Sequence, residues 1–298
     1  MRHLTLLCTL LLTVSCRDDD EGAIPDMGMS IPGADSTAPD AGTLDGGRVD
    51  SGMPTSGLRT IAAIQDPNAA NRPVVCTQQG GVDSRSGECP AVAFDDVVVT
   101  AIEGGENGRA SLFVQDDRVM DGRFAGVFVF NARLEGGTPS VGDRVNVSGI
   151  AVLFFDGMQI ADATVTLLAG GNAPMAPIVV MPSMLPGAPP LSGSEVTNPY
   201  EGVLVQLENV SVTNPCVESS GDRGYFEVAG STIIGSEYDY AYNGEAPADA
   251  SSPGPCNDMP RPNDMRKMGD SFQSITGVMS YTFSQFRLNP RGDADLVR

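Results

Sequence analysis

The chain has 298 residues, 38 of them acidic and 18 basic, for a formal charge of −20. Its 35 Gly and 22 Pro exclude a long helical bundle or coiled coil, since neither tolerates so many breakers. The sole histidine is His3, so removal of the N-terminus on export leaves no imidazole and excludes Ser-His-Asp triads, Cys-His dyads and histidine-based zinc sites.

Met1-Arg2-His3 precedes an 11-residue apolar run, Leu4 to Val14, followed by Ser15-Cys16. A basic start, a short apolar stretch and a small residue make a secretory signal, too short to span a bilayer. Leu12-Thr13-Val14-Ser15-Cys16 resembles the bacterial lipobox, whose cysteine is acylated and becomes the new N-terminus; Thr13 stands where that motif usually has Leu. The alternative is an ordinary signal peptide cleaved nearby, with Cys16 left as a free thiol. Residues 1–15 are thus read as a lipoprotein signal peptide and Cys16 as the lipidation site. Arg17, following the anchor, leans by family analogy toward the outer membrane, so the expected location is the cell envelope, with membrane contact through the lipid alone. Residues 16–57 read as a disordered acidic tether. From Arg17 to Gly57 nine Asp/Glu face two Arg, a net of −7 in 41 residues with almost no large apolar side chains. Such a stretch cannot offset its chain entropy by burial.

Setting aside Cys8 and Cys16 leaves Cys76, Cys89, Cys216 and Cys256, which allow three connectivities. Cys76–Cys89 and Cys216–Cys256 are expected, each within one repeat of the strand pattern below. They would contribute roughly 3 and 4 kcal/mol in the chain-entropy model.

From Leu58 onward the pattern is all-β. Short alternating runs, bounded by Gly, Pro, Asn and Asp, predict strands at Val97 to Ile102, Ser111 to Gln115, Gly126 to Phe130, Arg144 to Gly149 and Ala163 to Leu168. The pattern then recurs. Phe94-Asp95-Asp96-Val97 is matched by Leu207-Glu208-Asn209-Val210, and Arg109 to Val114 by Arg223 to Val228. Gly142-Asp143 and Gly149-Ile150 correspond to Gly269-Asp270 and Gly277-Val278. An equal spacing of 11 residues aligns Phe155 with Phe283, Gln159 with Arg287, and Ile160 with Leu288. Common landmarks at common offsets predict two copies of one fold, at 58–173 and 174–298, with an insertion of about 235–262 in the second. Five strands with a Gly-Asp turn before the fourth suggest the OB barrel, so the expected architecture is two tandem OB-like five-stranded barrels.

The residues also carry a family resemblance. Leu112-Phe113-Val114-Gln115-Asp116, the run from Val141 to Gly149, the run from Tyr200 to Val210, and Ile275 to Tyr281 leading to Phe286-Arg287-Leu288-Asn289-Pro290 resemble the tandem OB-like region of secreted bacterial nucleases. Those nucleases are of the endonuclease/exonuclease/phosphatase class, and similar pairs occur alone in bacterial lipoproteins. The resemblance covers roughly 60–298. It implies an accessory region, because the catalytic domain of that class resembles a metal-dependent phosphodiesterase with paired histidines and this chain lacks them.

Candidate sites follow from side-chain chemistry. Asp116, Asp117 and Asp121, with Glu103 and Glu106 in another loop, are weak Ca²⁺ candidates lacking EF-hand spacing, and solvated turn carboxylates are the bland alternative. No other cofactor is expected. Tyr238, Tyr240 and Tyr242 alternate at a spacing of two and would share one face of a strand, either stacking a ligand or covering one end of the barrel. Arg287 with Phe283 and Phe286 suggests a mixed stacking surface; the alternative is that Phe283 belongs to the core, since its counterpart Phe155 is also apolar. Arg291-Gly292-Asp293 is an adhesion tripeptide too short to carry weight, and Gly104 to Gly108 lacks the lysine and helix of a phosphate loop.

Setting aside the tether's −7 and Arg2 leaves −14 on the folded part, which opposes generic nucleic-acid binding; a local patch could still act, since 17 of the 18 basic residues are Arg and only Lys267 is lysine. The expectation is a non-enzymatic, membrane-tethered binding module for an envelope protein or glycan. A nucleic-acid-binding accessory to a separate extracellular nuclease is the alternative, and a hydrolase using carboxylates alone comes third. Ligand contact is expected on the second copy, around Tyr238 to Tyr242, with each copy holding its own core.

Overall fold

The computed structural model describes residues 58–81, 84–185, 198–215, 217, 225–235, 267–282 and 285–298. The signal segment, Cys16, the tether, the Cys216–Cys256 pair, Phe283 and Tyr238, Tyr240 and Tyr242 lie outside them. The first sheet contains β1 (Cys76–Gln78), β2 (Arg85–Ser86), β3 (Ala91–Ile102), β4 (Arg109–Gln115), β5 (Gly126–Glu135), β6 (Arg144–Phe154) and β7 (Gly157–Ala169). The second contains β8 (Ile178–Val179), β9 (Leu204–Asn214), β10 (Phe226–Val228), β11 (Thr232–Ile234), β12 (Ser271–Thr282), β13 (Gln285–Asn289) and β14 (Leu296–Val297).

Each sheet closes on itself. In the first, the ring runs β3-β4-β5-β7-β6 and returns to β3, with β5 and β7 parallel and every other neighbour antiparallel. In the second, β9-β10-β11-β13-β12 closes in the same order, with β11 and β13 as its parallel pair. Both are OB-like five-stranded barrels, and the fold is all-β. Closure leaves neither ring a free edge for unwanted pairing.

Local chemistry repeats with the topology. Asp96 and Asn209, aligned in the duplicated sequence, both take left-handed backbone, at φ 55° and 52°. Short polar side chains tolerate that region, and a register shift between Phe94 and Val97 marks the bulge this makes in β3. The Gly-Asp turns behave alike. Gly142 and Gly269 supply positive φ, and the following Asp accepts a backbone N–H from three residues earlier: Ser140 to Asp143 Oδ2 at 2.8 Å, Lys267 to Asp270 Oδ2 at 2.9 Å.

Two cores result. Barrel one packs Phe94, Leu112, Val129, Val147 and Ile160, and one end is plugged by Ile61 and Ile64 around the short helix α1 (Ala62–Gln65). Barrel two packs Phe226, Phe272, Ile275, Met279 and Leu288. The cores are not independent. Ala125, from the β4–β5 connection, is fully buried in the second core, and Ala101 and Phe113 of barrel one form a third cluster with Leu204 and Val278 of barrel two. At the joint, Gly126 and Gly202 meet backbone to backbone, so a Cβ on either would overlap the other's main chain. Polar contacts tie the same surface. The Leu204 N–H donates to Gln115 Oε1 at 2.9 Å, the Met158 N–H to Glu201 Oε1 at 3.0 Å, and Arg291 Nη1 to the Thr100 carbonyl at 3.0 Å. Residues Gly52–Arg298 accordingly form one compact unit.

A groove on the first barrel as candidate functional site

Strands β4, β5 and β7 alternate between core and outer face: Leu112 and Val114, Val127 and Val129, and Met158 and Ile160 turn into the core. Val127, Val129 and Ile160 are fully buried in the core, so Phe128, Phe130 and Gln159 must point outward. The register places Phe113 opposite Phe128, and Phe128 opposite Gln159, in one row across three strands. Phe113 and Phe128 have ring centroids 4.8 Å apart with planes tilted by 40°, and Phe128 and Phe130 lie 6.4 Å apart at 53°.

Barrel two covers only part of this face. Its Leu204 and Val278 sit on Phe113, and beyond them the face stays open as a groove of about 700 Å³. That volume suits a ligand of a few hundred daltons or a short chain segment. Phe130 is 49% exposed on the floor, and Phe154, at the end of β6, is 38% exposed beside it. Glu201, Gly202, Ser280 and Tyr281 of barrel two form one wall.

The opposite wall is the β1–β2 hairpin, held by the Cys76–Cys89 disulfide with a Cα separation of 4.7 Å. β1 adds in parallel to β6, pairing Gln78 with Phe154. Arg85 fixes the hairpin against β7, donating Nε to Gln78 Oε1 at 2.9 Å and Nη1 to Asp162 Oδ2 at 2.6 Å. That hydrogen bond from Arg85 holds the Asp162 carboxyl below its ordinary pKa, against a smaller upward push from burial. Arg109 stands at the far end, donating Nη1 to the Asn131 carbonyl at 2.9 Å. Among the described residues it has no carboxylate partner.

Gln159 is the polar group at the centre of the floor. It is only 7% exposed, and among the described residues its carboxamide has no hydrogen-bond partner. Its amide atoms are not among the water-excluded polar atoms, so they open onto the groove and offer an acceptor and a donor to whatever occupies it.

Of the residues expected to bind, those within the described part sit elsewhere; Tyr238, Tyr240, Tyr242 and Phe283 lie outside it. Arg287, expected on a stacking surface, is fully buried, with its guanidinium carbon 4.2 Å from the Tyr225 ring centroid. Phe286 is buried against Tyr281 in the second core, so no mixed stacking surface forms from these two. The acidic loop is also not a hard-cation site. Asp116 is buried and receives Arg118 Nε at 2.7 Å and Nη2 at 3.0 Å, while Asp117 pairs with Arg144. Burial pushes the Asp116 carboxyl up, but hydrogen bonds from the Arg118 side chain and backbone outweigh it and leave the pKa lowered. Asp121 accepts only the Arg123 N–H, at 3.1 Å. Asp116 and Asp117 are therefore ion-pair partners of arginines and not solvated turn carboxylates. Glu103 and Glu106 are exposed in the β3–β4 loop, with Glu103 at the groove rim. Among the described residues no three His, Cys, Asp or Glu side chains converge to hold a metal ion. Arg291, the first residue of the adhesion-like tripeptide, is a joint residue, clamped bidentate to Asp295.

Strand periodicity by itself marks the buried set and leaves the outward face unassigned. The alternation in Gly126-Val127-Phe128-Val129-Phe130 already places two phenylalanines on the face opposite the valines. An outward aromatic pair on the third strand of an OB-like barrel is a legible sign of a ligand face. Comparison of the chain with protein-family models, curated proteins and solved structures finds no match.

Proposed function

We propose that this chain is a non-enzymatic binding module, held outside the cytoplasm by a lipid on Cys16, and that its ligand site is the groove on the first barrel. The observation that carries the reading is the groove floor itself: the Gln159 carboxamide, without a hydrogen-bond partner among the described residues, opens into an apolar groove beside outward phenylalanines on the OB ligand face. The signal-like N-terminus and the disulfide on the groove wall support an extracytoplasmic setting.

The absence of tryptophan from the chain gives a clean test. Phe130→Trp, at a half-exposed floor position, introduces a single reporter of groove occupancy. A panel of oligothymidylate, N-acetylchitotriose and apolar heptapeptides should contain a member that shifts its emission, and Gln159→Leu should remove the shift. No response to any member rejects the groove as a ligand site. For the anchor, labelling with a radioactive fatty acid should be lost in Cys16→Ser.

A second reading, a nucleic-acid-binding accessory to a separate nuclease, is favoured by one feature, the Arg109 guanidinium beside the aromatic row. Oligothymidylate affinity that falls steeply with salt and disappears in Arg109→Gln supports it.

A further inference from the structure

Resting on the reading of the groove as the ligand site, we infer that its ligand is an extended peptide segment with large apolar side chains and no acidic residues. Three observations separate this class from nucleic acid and from sugars.

The first is ring geometry. Bases and pyranose rings stack best on one flat aromatic face or on parallel ones. The rings of Phe113, Phe128 and Phe130 are tilted by 40° and 53° to their neighbours. Leu204 and Val278 cover Phe113, so the open pair is Phe128 and Phe130, whose tilt leaves a wedge-shaped cleft that suits a branched or three-dimensional side chain.

The second is Gln159. Its carboxamide offers a carbonyl acceptor and N–H donors in one plane, and a peptide group presents the complementary acceptor and donor. An extended segment laid along the floor turns its backbone amides to one side at every second residue, so one of them can pair with Gln159 while a neighbouring side chain enters the cleft.

The third is charge. The sequence from Leu58 onward carries −14, Glu103 stands at the groove rim, Glu201 on one wall accepts the Met158 N–H, and the Arg85 guanidinium is bound to Asp162. Phosphodiesters are repelled by that field, and a neutral or basic segment is not. Arg109 remains for a single carbonyl or a C-terminal carboxylate.

The test pans the full chain against a phage-displayed heptapeptide library, then measures selected peptides in solution by fluorescence anisotropy. Oligothymidylate and N-acetylchitotriose serve as competitors. The expected result is a consensus with at least two large apolar residues and no Asp or Glu. Binding should weaken at least tenfold in Phe128→Ser and in Gln159→Leu, with the second variant folding as well as the parent. Peptides that bind all variants equally would place the peptide site elsewhere and overturn the inference. If no consensus emerges but oligothymidylate or chitotriose binds in a Gln159-dependent way, the peptide class is wrong and the groove still stands as the ligand site. If no probe binds at all, both readings fail together.

Discussion

The two barrels share a frame and differ at one face. In barrel one the register row Phe113, Phe128 and Gln159 faces outward across the second, third and fifth strands. The corresponding row in barrel two is Glu227, Ile233 and Arg287. There the cation lies over the Tyr225 ring, Ile233 is only 5% exposed and Arg287 is fully buried, so these positions are closed to solvent. In barrel one the same positions carry phenylalanines and an amide without a partner among the described residues, and the face is open where barrel two does not cover it. One fold therefore leaves this row open to a groove in one barrel and closed in the other.

The most disruptive change to this arrangement is at the joint. Gly126→Val sets a branched side chain against the Gly202 backbone, and unfolding in urea should show a loss of at least about 3 kcal/mol. A loss below about 1 kcal/mol would mean that the barrels can separate without strain and that one wall of the groove is adventitious. Next comes the opposite wall. Replacing Cys76 and Cys89 together by Ser should lower stability by about 3 kcal/mol, with any groove ligand weakened in parallel. Unchanged affinity in that variant would remove the hairpin from the site.

The paired substitutions sharpen the comparison directly. Arg287→Leu removes a desolvated cation from an aromatic face and should cost about 2 kcal/mol. Gln159→Leu removes an amide that opens onto the groove and makes no hydrogen bond among the described residues; it should change stability by less than about 1 kcal/mol while abolishing ligand binding. Equal effects of the two changes on thermal unfolding would show that the fifth-strand positions are equivalent after all.

Acid should give the smallest effect, and it belongs to barrel one. Asp116 and Asp162 both have lowered pKa values in the fold, so each contributes stability that is fully present above the unfolded value of about 3.9. That contribution is lost as pH falls through the lower folded value. Urea midpoints measured from neutral pH downward should stay level for these groups until below about pH 4 and then fall. Asp116→Asn should flatten part of the decline. A decline already complete well above that window would assign it to other groups.

Much of this architecture was legible. Closure, strand order and the matching Gly-Asp turns follow from the alternating runs and from repeated landmarks such as Asp96 with Asn209. The strands themselves run longer than expected: β7 begins at Gly157, well before Ala163, because Phe155 and Asp156 turn back at positive φ and continue pairing at once. The site was less legible, because burial of an outward face depends on what packs over it. Gln159 and Arg287 align perfectly in sequence, yet one lies in a groove and the other beneath a ring. No period or spacing in either copy encodes that difference. Likewise, Asp116 looks like a loop carboxylate until Arg118 folds back on it.

Copies that arise by duplication begin as interchangeable parts. The contact of Leu204 and Val278 with Ala101 and Phe113 ends that freedom. Deleting or transplanting either copy uncovers apolar surface on the other, so recombination that keeps function must carry both together. The heritable unit is the pair. A relative that holds only one such barrel should then bear polar side chains at the positions of Ala101 and Phe113, and a residue larger than glycine at the position of Gly126.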